Sequence, residues 1–307
     1  MMLALPGLLA YWKLDEESGT TAVNAEGTAA RDGAYMNSPT LASVSFPSGG
    51  AAPLFDGALN GQYADVFTAS LAAAFDGDLG WLNMFVQLET ADNANTTARQ
   101  ILAFQADSDN YLTIERLNLP YLWRLAFEGG NLRRRNTISV ASPKFQMITI
   151  TWDRIWGYVS FFVNGLPFVQ DAAVNAFVGD LAIANIAHGA NPAGAFGLKG
   201  SAGHVAVGTG EVPTAAALRN LWAAAYADGR EFTVVGDSKS SGDKTWIPQF
   251  QIEMETETGN AWRENPGRRY GLSGEDSIDL HTFVDANLPS EVGSPEFVLL
   301  NIGSNDL

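Results

Sequence analysis

Residues 147–165 constrain the fold of this chain more than any other stretch. In Met147–Trp152, Ile148, Ile150 and Trp152 fall on one side of an extended backbone, and Thr149 and Thr151 on the other. A period of two marks a half-buried strand. A second strand, Tyr158–Val163, follows and runs into Asn164-Gly165. That dipeptide suits a type I′ hairpin turn, whose two central residues both need positive φ. Further strands are expected at Leu8–Leu14, Trp81–Leu88, Gln100–Gln105, Tyr111–Glu115, Tyr121–Phe127 and His204–Val207, with Gly, Asn, Asp and Ser clustered between them. Many short strands with turn signals and little helical periodicity predict a two-sheet sandwich. One helix is expected, opened by Pro213-Thr214, with Leu218, Leu221, Trp222 and Tyr226 at helical spacing, and closed by Gly229.

Beyond Gly229 the pattern changes. A short apolar strand, Phe232–Val235, leads into Gly236-Asp237-Ser238. Helical segments are expected around Trp246–Glu257 and over Ser277–Ala286, and then a strand at Phe297–Ile302 that is apolar on both faces apart from Asn301. Such a strand belongs in a parallel sheet covered by helices, so this part reads as α/β. The expected organisation is multidomain, with a sandwich over 1–229 and an α/β part over 230–307.

Charge and composition remove several function classes. Asp and Glu number 34 against 18 Lys and Arg, a formal net charge of −16. A chain this acidic is repelled by phosphate backbones and anionic bilayers, so no nucleic-acid partner is expected. No apolar run is long enough to suggest membrane insertion. With no cysteine, disulfides, thiolate catalysis and cysteine-zinc sites are excluded. The apolar start, Met1–Trp12, contains Pro6 and has no basic residue before Lys13. It reads as a first strand and not as a signal peptide.

Two family resemblances rest on these residues. Gly7-Leu8-Leu9-Ala10-Tyr11-Trp12-Lys13-Leu14-Asp15-Glu16 with Ser18-Gly19-Thr20, then Leu54-Phe55-Asp56-Gly57, the strands Phe145–Trp152 and Tyr158–Gly165, and the closing Gly203–Val207 with its helix resemble the concanavalin-A-like, laminin-G-like jelly rolls. That resemblance covers residues 7–228 and implies carbohydrate binding, adhesion or a packing role. Gly236-Asp237-Ser238, Ser273-Gly274-Glu275-Asp276 and Gly303-Ser304-Asn305-Asp306, in that order, resemble the first three blocks of an SGNH (GDSL-like) hydrolase. The implied fold class is an all-β jelly roll followed by an incomplete, flavodoxin-like three-layer α/β domain. Carried over to this chain, Ser238 is the expected nucleophile, and Gly274 and Asn305 donate to the oxyanion. A serine hydroxyl needs a base, and the tetrahedral oxyanion needs preorganised donors. Lys239 stands where that family often has Leu.

The fourth block of that family, Asp-x-x-His, is not matched. His188, His204 and His281 have no Asp three residues before them, and each is read as a packing or surface residue. A strand as apolar as Val298–Ile302 also calls for more sheet around it, so the natural chain is expected to continue past Leu307 with the missing Asp and His.

Other residues carry smaller expectations. Asp107, Asp109 and Asn110 form an oxygen-rich turn that suits calcium, and otherwise serve as a polar hairpin turn. Arg133-Arg134-Arg135 is a basic island that suits an anionic sugar or a partner subunit, or else a solvated strand end. No cofactor is required. The expected protein is a glycan- or cell-surface-directed serine esterase with a lectin-like module, working outside cells or on a phage virion. The alternative is a non-enzymatic virion structural, fibre or receptor-binding protein that contacts other virion proteins.

Overall fold

The computed structural model describes residues 2–89, 92, 96–119, 122–130, 132–139, 144–173, 175, 177–191 and 195–225, and the strand backbones 230–236, 262–264, 270–271 and 297–301. The chain divides into two compact units, Met1–Ala225 and Tyr226–Leu307. Among the described residues no helix is long and apolar enough to cross a membrane.

The first unit is an all-β sandwich. In chain order its strands are β1 (Leu8–Trp12), β2 (Thr21–Ala22), β3 (Gly33–Met36), β4 (Thr40–Ser45), β5 (Ala51–Asp56) and β6 (Tyr63–Asp65). The helix α1 (Ala69–Ala74) comes next, capped by the Thr68 hydroxyl on the Leu71 N–H at 3.0 Å. Then follow β7 (Leu79–Leu88), β8 (Arg99–Asp107), β9 (Asn110–Arg116), β10 (Leu122–Gly129) and β11 (Leu132–Ser139). β12 (Gln146–Asp153), β13 (Tyr158–Val163), β14 (Leu166–Ala173), β15 (Ile183–Ile186) and β16 (Lys199–Thr209) complete the strands, and α2 (Ala215–Ala225) closes the unit. One sheet has the order β14-β13-β12-β7-β16-β5-β4, with β1 also paired to β16; the other runs β11-β10-β9-β8-β15-β6-β3-β2. The pairings are antiparallel throughout.

Alternation decides what the sheets bury between them. Ile148, Ile150 and Trp152 of β12 join Leu82, Met84 and Val86 of β7 and Val159, Phe161 and Val163 of β13 in one apolar core. Facing side chains in that core include Leu102 and Phe104 of β8, Leu112 and Ile114 of β9, and Trp123, Leu125 and Phe127 of β10. The Asn164-Gly165 turn joins β13 to β14, with φ of 54° and 75°, the two positive values that a type I′ turn requires. A Cβ on Gly165 would lie 2.7 Å from the Arg219 backbone, so this glycine also lets α2 cross close to the turn.

The far side of the first sheet is buried too. Asn83 donates to Thr149 Oγ1 at 2.6 Å, and Trp222 of α2 stacks on Phe85 with centroids 6.2 Å apart. His204 sits at the bulge of β16 with φ 49°, its Nδ1 hydrogen-bonded with the Tyr11 hydroxyl and its ring 4.1 Å from that of Phe46. Burial pushes its pKa down to about 4, helped by Lys13 and opposed by Asp15. Because the folded value lies below the ordinary 6.5, the unfolded chain takes up this proton first. Stability from this group is complete above pH 6.5 and is lost as the pH falls toward 4, by up to about 3 kcal/mol. His204→Asn keeps a side chain that tolerates positive φ. Its urea midpoint is expected to fall less than that of the parent between pH 7 and pH 4.5; equal losses would refute the assignment.

In the second unit, β17 (Arg230–Gly236) pairs in parallel with β18 (Trp262–Glu264), β19 (Tyr270–Gly271) and β20 (Phe297–Asn301). β17 and β20 are in register from Phe232↔Phe297 to Gly236↔Asn301. The helices expected at 246–257 and 277–286 lie outside the described residues.

Candidate functional site

Strand register on the outer face of the second sheet builds a trough. The middle row is Ala126, Thr113 and Ala103, directly paired across β10, β9 and β8. All three are small. Two residues along the strands on one side stand Arg124 and Glu115, with Gln100 brought opposite Glu115 by a bulge in β8; two residues along on the other side stand Glu128, Tyr111 and Gln105. Long side chains in two rows, about 13 Å apart at 3.4 Å per residue, therefore wall a low middle row.

The trough has a volume of about 240 Å3 and is lined by Gln100, Gln105, Tyr111, Thr113, Arg124 and Arg135, with the 189–191 segment at one end. Buried His188 secures that segment by accepting the Gly189 N–H at 2.9 Å. Asn185 adds a hydrogen bond to the Gly189 carbonyl at 2.8 Å. A second depression of about 470 Å3 shares Gln100, Glu115 and Arg124 with the first and extends to Arg99, Arg116 and Phe196. Phe196 is 42% exposed, with the Arg99 guanidinium 5.3 Å from its ring centre. An exposed ring beside polar side chains is what stacking on a sugar needs.

Charges in the walls are ordered. Arg124 pairs with Glu115, and Arg133 with Glu128. Burial alone would raise Glu128, but hydrogen bonds from Arg133 and Tyr111 outweigh it and hold its carboxyl below the usual range. Arg135 donates to the Tyr111 hydroxyl at 3.1 Å. The basic island is therefore part of a strand, β11, with Arg133 and Arg135 on the outer face. Arg134 donates to the Ala173 carbonyl of β14, across the open edge of the sandwich.

Asp107, Asp109 and Asn110 are brought together in the β8–β9 turn. Asp107 Oδ1 accepts from the Asp109 N–H at 2.8 Å and from the Asn110 amide at 2.9 Å, which hold its carboxyl below the usual range. Asn110 Oδ1 accepts the N–H groups of Gly130 and Val178 at 3.1 and 2.8 Å, so this oxygen ties three loops together. Among the described residues no group of three or more His, Cys, Asp or Glu is placed to hold a metal ion. Ser238, Gly274 and Asn305, with His281, lie outside the described residues. Of the trough residues only Arg135 was singled out from sequence, within the basic island; Tyr111, Thr113 and Glu115 show as the polar half of an alternating strand, which marks an exposed face and not a site.

No protein-family model matches the chain, and no curated protein does. Solved structures share its sandwich. The receptor-binding domain of botulinum neurotoxin mosaic serotype C/D superposes with a TM-score of 0.55 at 8% identity, over 70% of this chain and 50% of the toxin domain. Trypanosoma rangeli sialidase, in complex with sialic acid, gives 0.54 at 14% identity, over 72% of this chain and 33% of the sialidase. Domain 4 of an extracellular arabinanase from Geobacillus stearothermophilus, in complex with arabinotriose, gives 0.50 at 12% identity, over 70% of this chain and 97% of that domain. The chain thus matches half of the toxin domain and a third of the sialidase. At these identities the likeness establishes a jelly-roll β-sandwich.

Proposed function

We propose that this chain is a glycan-directed protein whose sandwich holds a saccharide in the trough over Thr113. The observation that carries this reading is the trough itself. It is a preformed channel with a small-residue floor and amide and hydroxyl groups from Gln100, Gln105, Thr113 and Tyr111, and the exposed ring of Phe196 stands in the adjoining depression. Saccharides present ring faces and closely spaced hydroxyls, which such walls match. The sandwiches of the sialidase and of the arabinanase domain support it at the level of fold, since those proteins were solved with sugars bound.

The same reading makes the second unit an acyl esterase acting on that glycan. Its support is the parallel pairing of β17 with β20, in register to Gly236 and Asn301. Asp237-Ser238 follows the first strand end directly in sequence, and Gly303-Ser304-Asn305 follows the second after Ile302. In open parallel sheets, ligands bind beyond the carboxyl ends of the strands. The reading sets the work on a virion or another extracellular surface. It needs no cofactor; calcium at the Asp107 turn would be a stabiliser only.

Glycan binding is tested on the whole chain by calorimetry against a saccharide panel. Thr113→Trp fills the trough from an outward-facing strand position. It is expected to abolish binding while shifting the urea midpoint little. Undiminished binding by this variant would move the site elsewhere.

A further inference from the structure

Within this reading of the trough as a saccharide site, we propose that the saccharide is acidic and that its carboxylate is held by Arg135. Two guanidiniums lean onto β9 on either side of Thr113. Arg124 reaches Glu115, two residues beyond it, and Arg135 reaches Tyr111, two residues before it. Their charges are not in the same condition. Arg124 is neutralised by Glu115, and the neighbouring Arg133 by Glu128. Arg135 rests on a phenol, which positions it without cancelling its charge. The Tyr111 hydroxyl also serves Glu128, whose carboxylate is paired with Arg133 and feels Arg135 through space without an ion pair to it. Among the described residues Arg135 forms no ion pair, and it is exposed.

The trough lining thus holds Arg124, Arg135 and Glu115, one cation in excess, in a chain of net charge −16. An excess cation in an acidic protein sits at the edge of a preformed trough, fixed by a hydrogen bond. A guanidinium meets a carboxylate through two parallel hydrogen bonds, which confers orientation as well as strength. Thr113 and Gln105 then face the hydroxyls of the same sugar ring.

The test is calorimetry on the whole chain with oligogalacturonate, sialyllactose and a hyaluronan oligosaccharide, each beside its carboxyl-reduced counterpart. At least one acidic probe is expected to bind more than tenfold tighter than its reduced form, with affinity falling as salt is raised. Arg135→Gln keeps a donor to Tyr111 and is expected to erase that preference. The preference is read as the ratio of acidic to reduced-form affinity within each protein, so a general weakening of the trough by the substitution does not count as its loss. Equal affinity for acidic and reduced forms would overturn this inference while leaving the saccharide site standing. Failure of every probe, acidic and neutral, would overturn both.

Discussion

Replacing Asp92 by Ala is expected to destabilise the sandwich by about 3–5 kcal/mol. Asp92 is buried and carries its charge between two buried guanidiniums. Arg99 Nε meets its Oδ2 at 2.9 Å and Arg99 Nη2 its Oδ1 at 2.5 Å, while Arg116 Nη2 lies 3.5 Å from Oδ2. The arginines are tied further: Arg99 donates to the Gly57 carbonyl and Arg116 to the Thr97 carbonyl. Burial pulls the Arg116 pKa down, and Asp92 pulls it back up. Without the carboxylate, two largely buried cations remain side by side, and they repel each other. A buried pair adds little over an apolar replacement, but removing one partner leaves the other uncompensated. Urea unfolding monitored by tryptophan fluorescence measures the loss, and a loss below about 1 kcal/mol would show that the cluster relaxes into solvent. Arg99 and Arg116 also line the second depression, so loss of saccharide binding is expected alongside the loss of stability.

That cluster explains a piece of the sequence that carried a family resemblance without a physical reason. In Leu54-Phe55-Asp56-Gly57, Phe55 is a core residue, Asp56 Oδ1 turns the chain by accepting the Ala58 N–H at 2.9 Å, and Gly57 has φ 64°. Its carbonyl is the acceptor for Arg99. Strands rich in β-branched and aromatic residues between turn signals were legible: β7, β8, β9, β10, β12 and β13 were all expected, as were the Asn164-Gly165 turn and α2. β4 was missed because four of its six residues are exposed, so alternation is weak. β11 was hidden by its three arginines, which read as a basic island. Their strand character comes from pairing opposite Phe127, Glu128 and Ala126 of β10. The trough was illegible for a different reason. It is a row across three strands, and a row exists only once register is known. Residues 103, 113 and 126 say nothing of one another in a linear chain.

Ser238→Ala is expected to lower ester hydrolysis by the intact polypeptide from its natural source by more than about 10³-fold. The hydroxyl is the only group in the proposed machinery that forms a bond to the acyl carbon, so nothing else can take over its step. Asn305→Ala should cost less, about 10²–10³-fold, because it removes one of several donors to the oxyanion. The two variants therefore separate attack from charge stabilisation. A nucleophile loses its acyl-enzyme burst; an oxyanion donor keeps the burst and slows it. The reading also requires a base, which none of His188, His204 and His281 supplies by the family's spacing. Of these, His204 is tied to the Tyr11 hydroxyl, and His188 is buried behind the trough. The assay thus uses p-nitrophenyl acetate and an acetylated oligosaccharide as substrates. Hydrolysis that survives Ser238→Ala would sink the catalytic assignment. The non-enzymatic reading, a fibre or receptor-binding component, would then lead. One feature already favours such a role: the β12–β13 turn presents Ile155 and Trp156 at 79% and 76% exposure. The turn itself is braced by an Arg154–Asp78 ion pair at 2.8 Å. An exposed tryptophan is the kind of side chain that anchors protein interfaces.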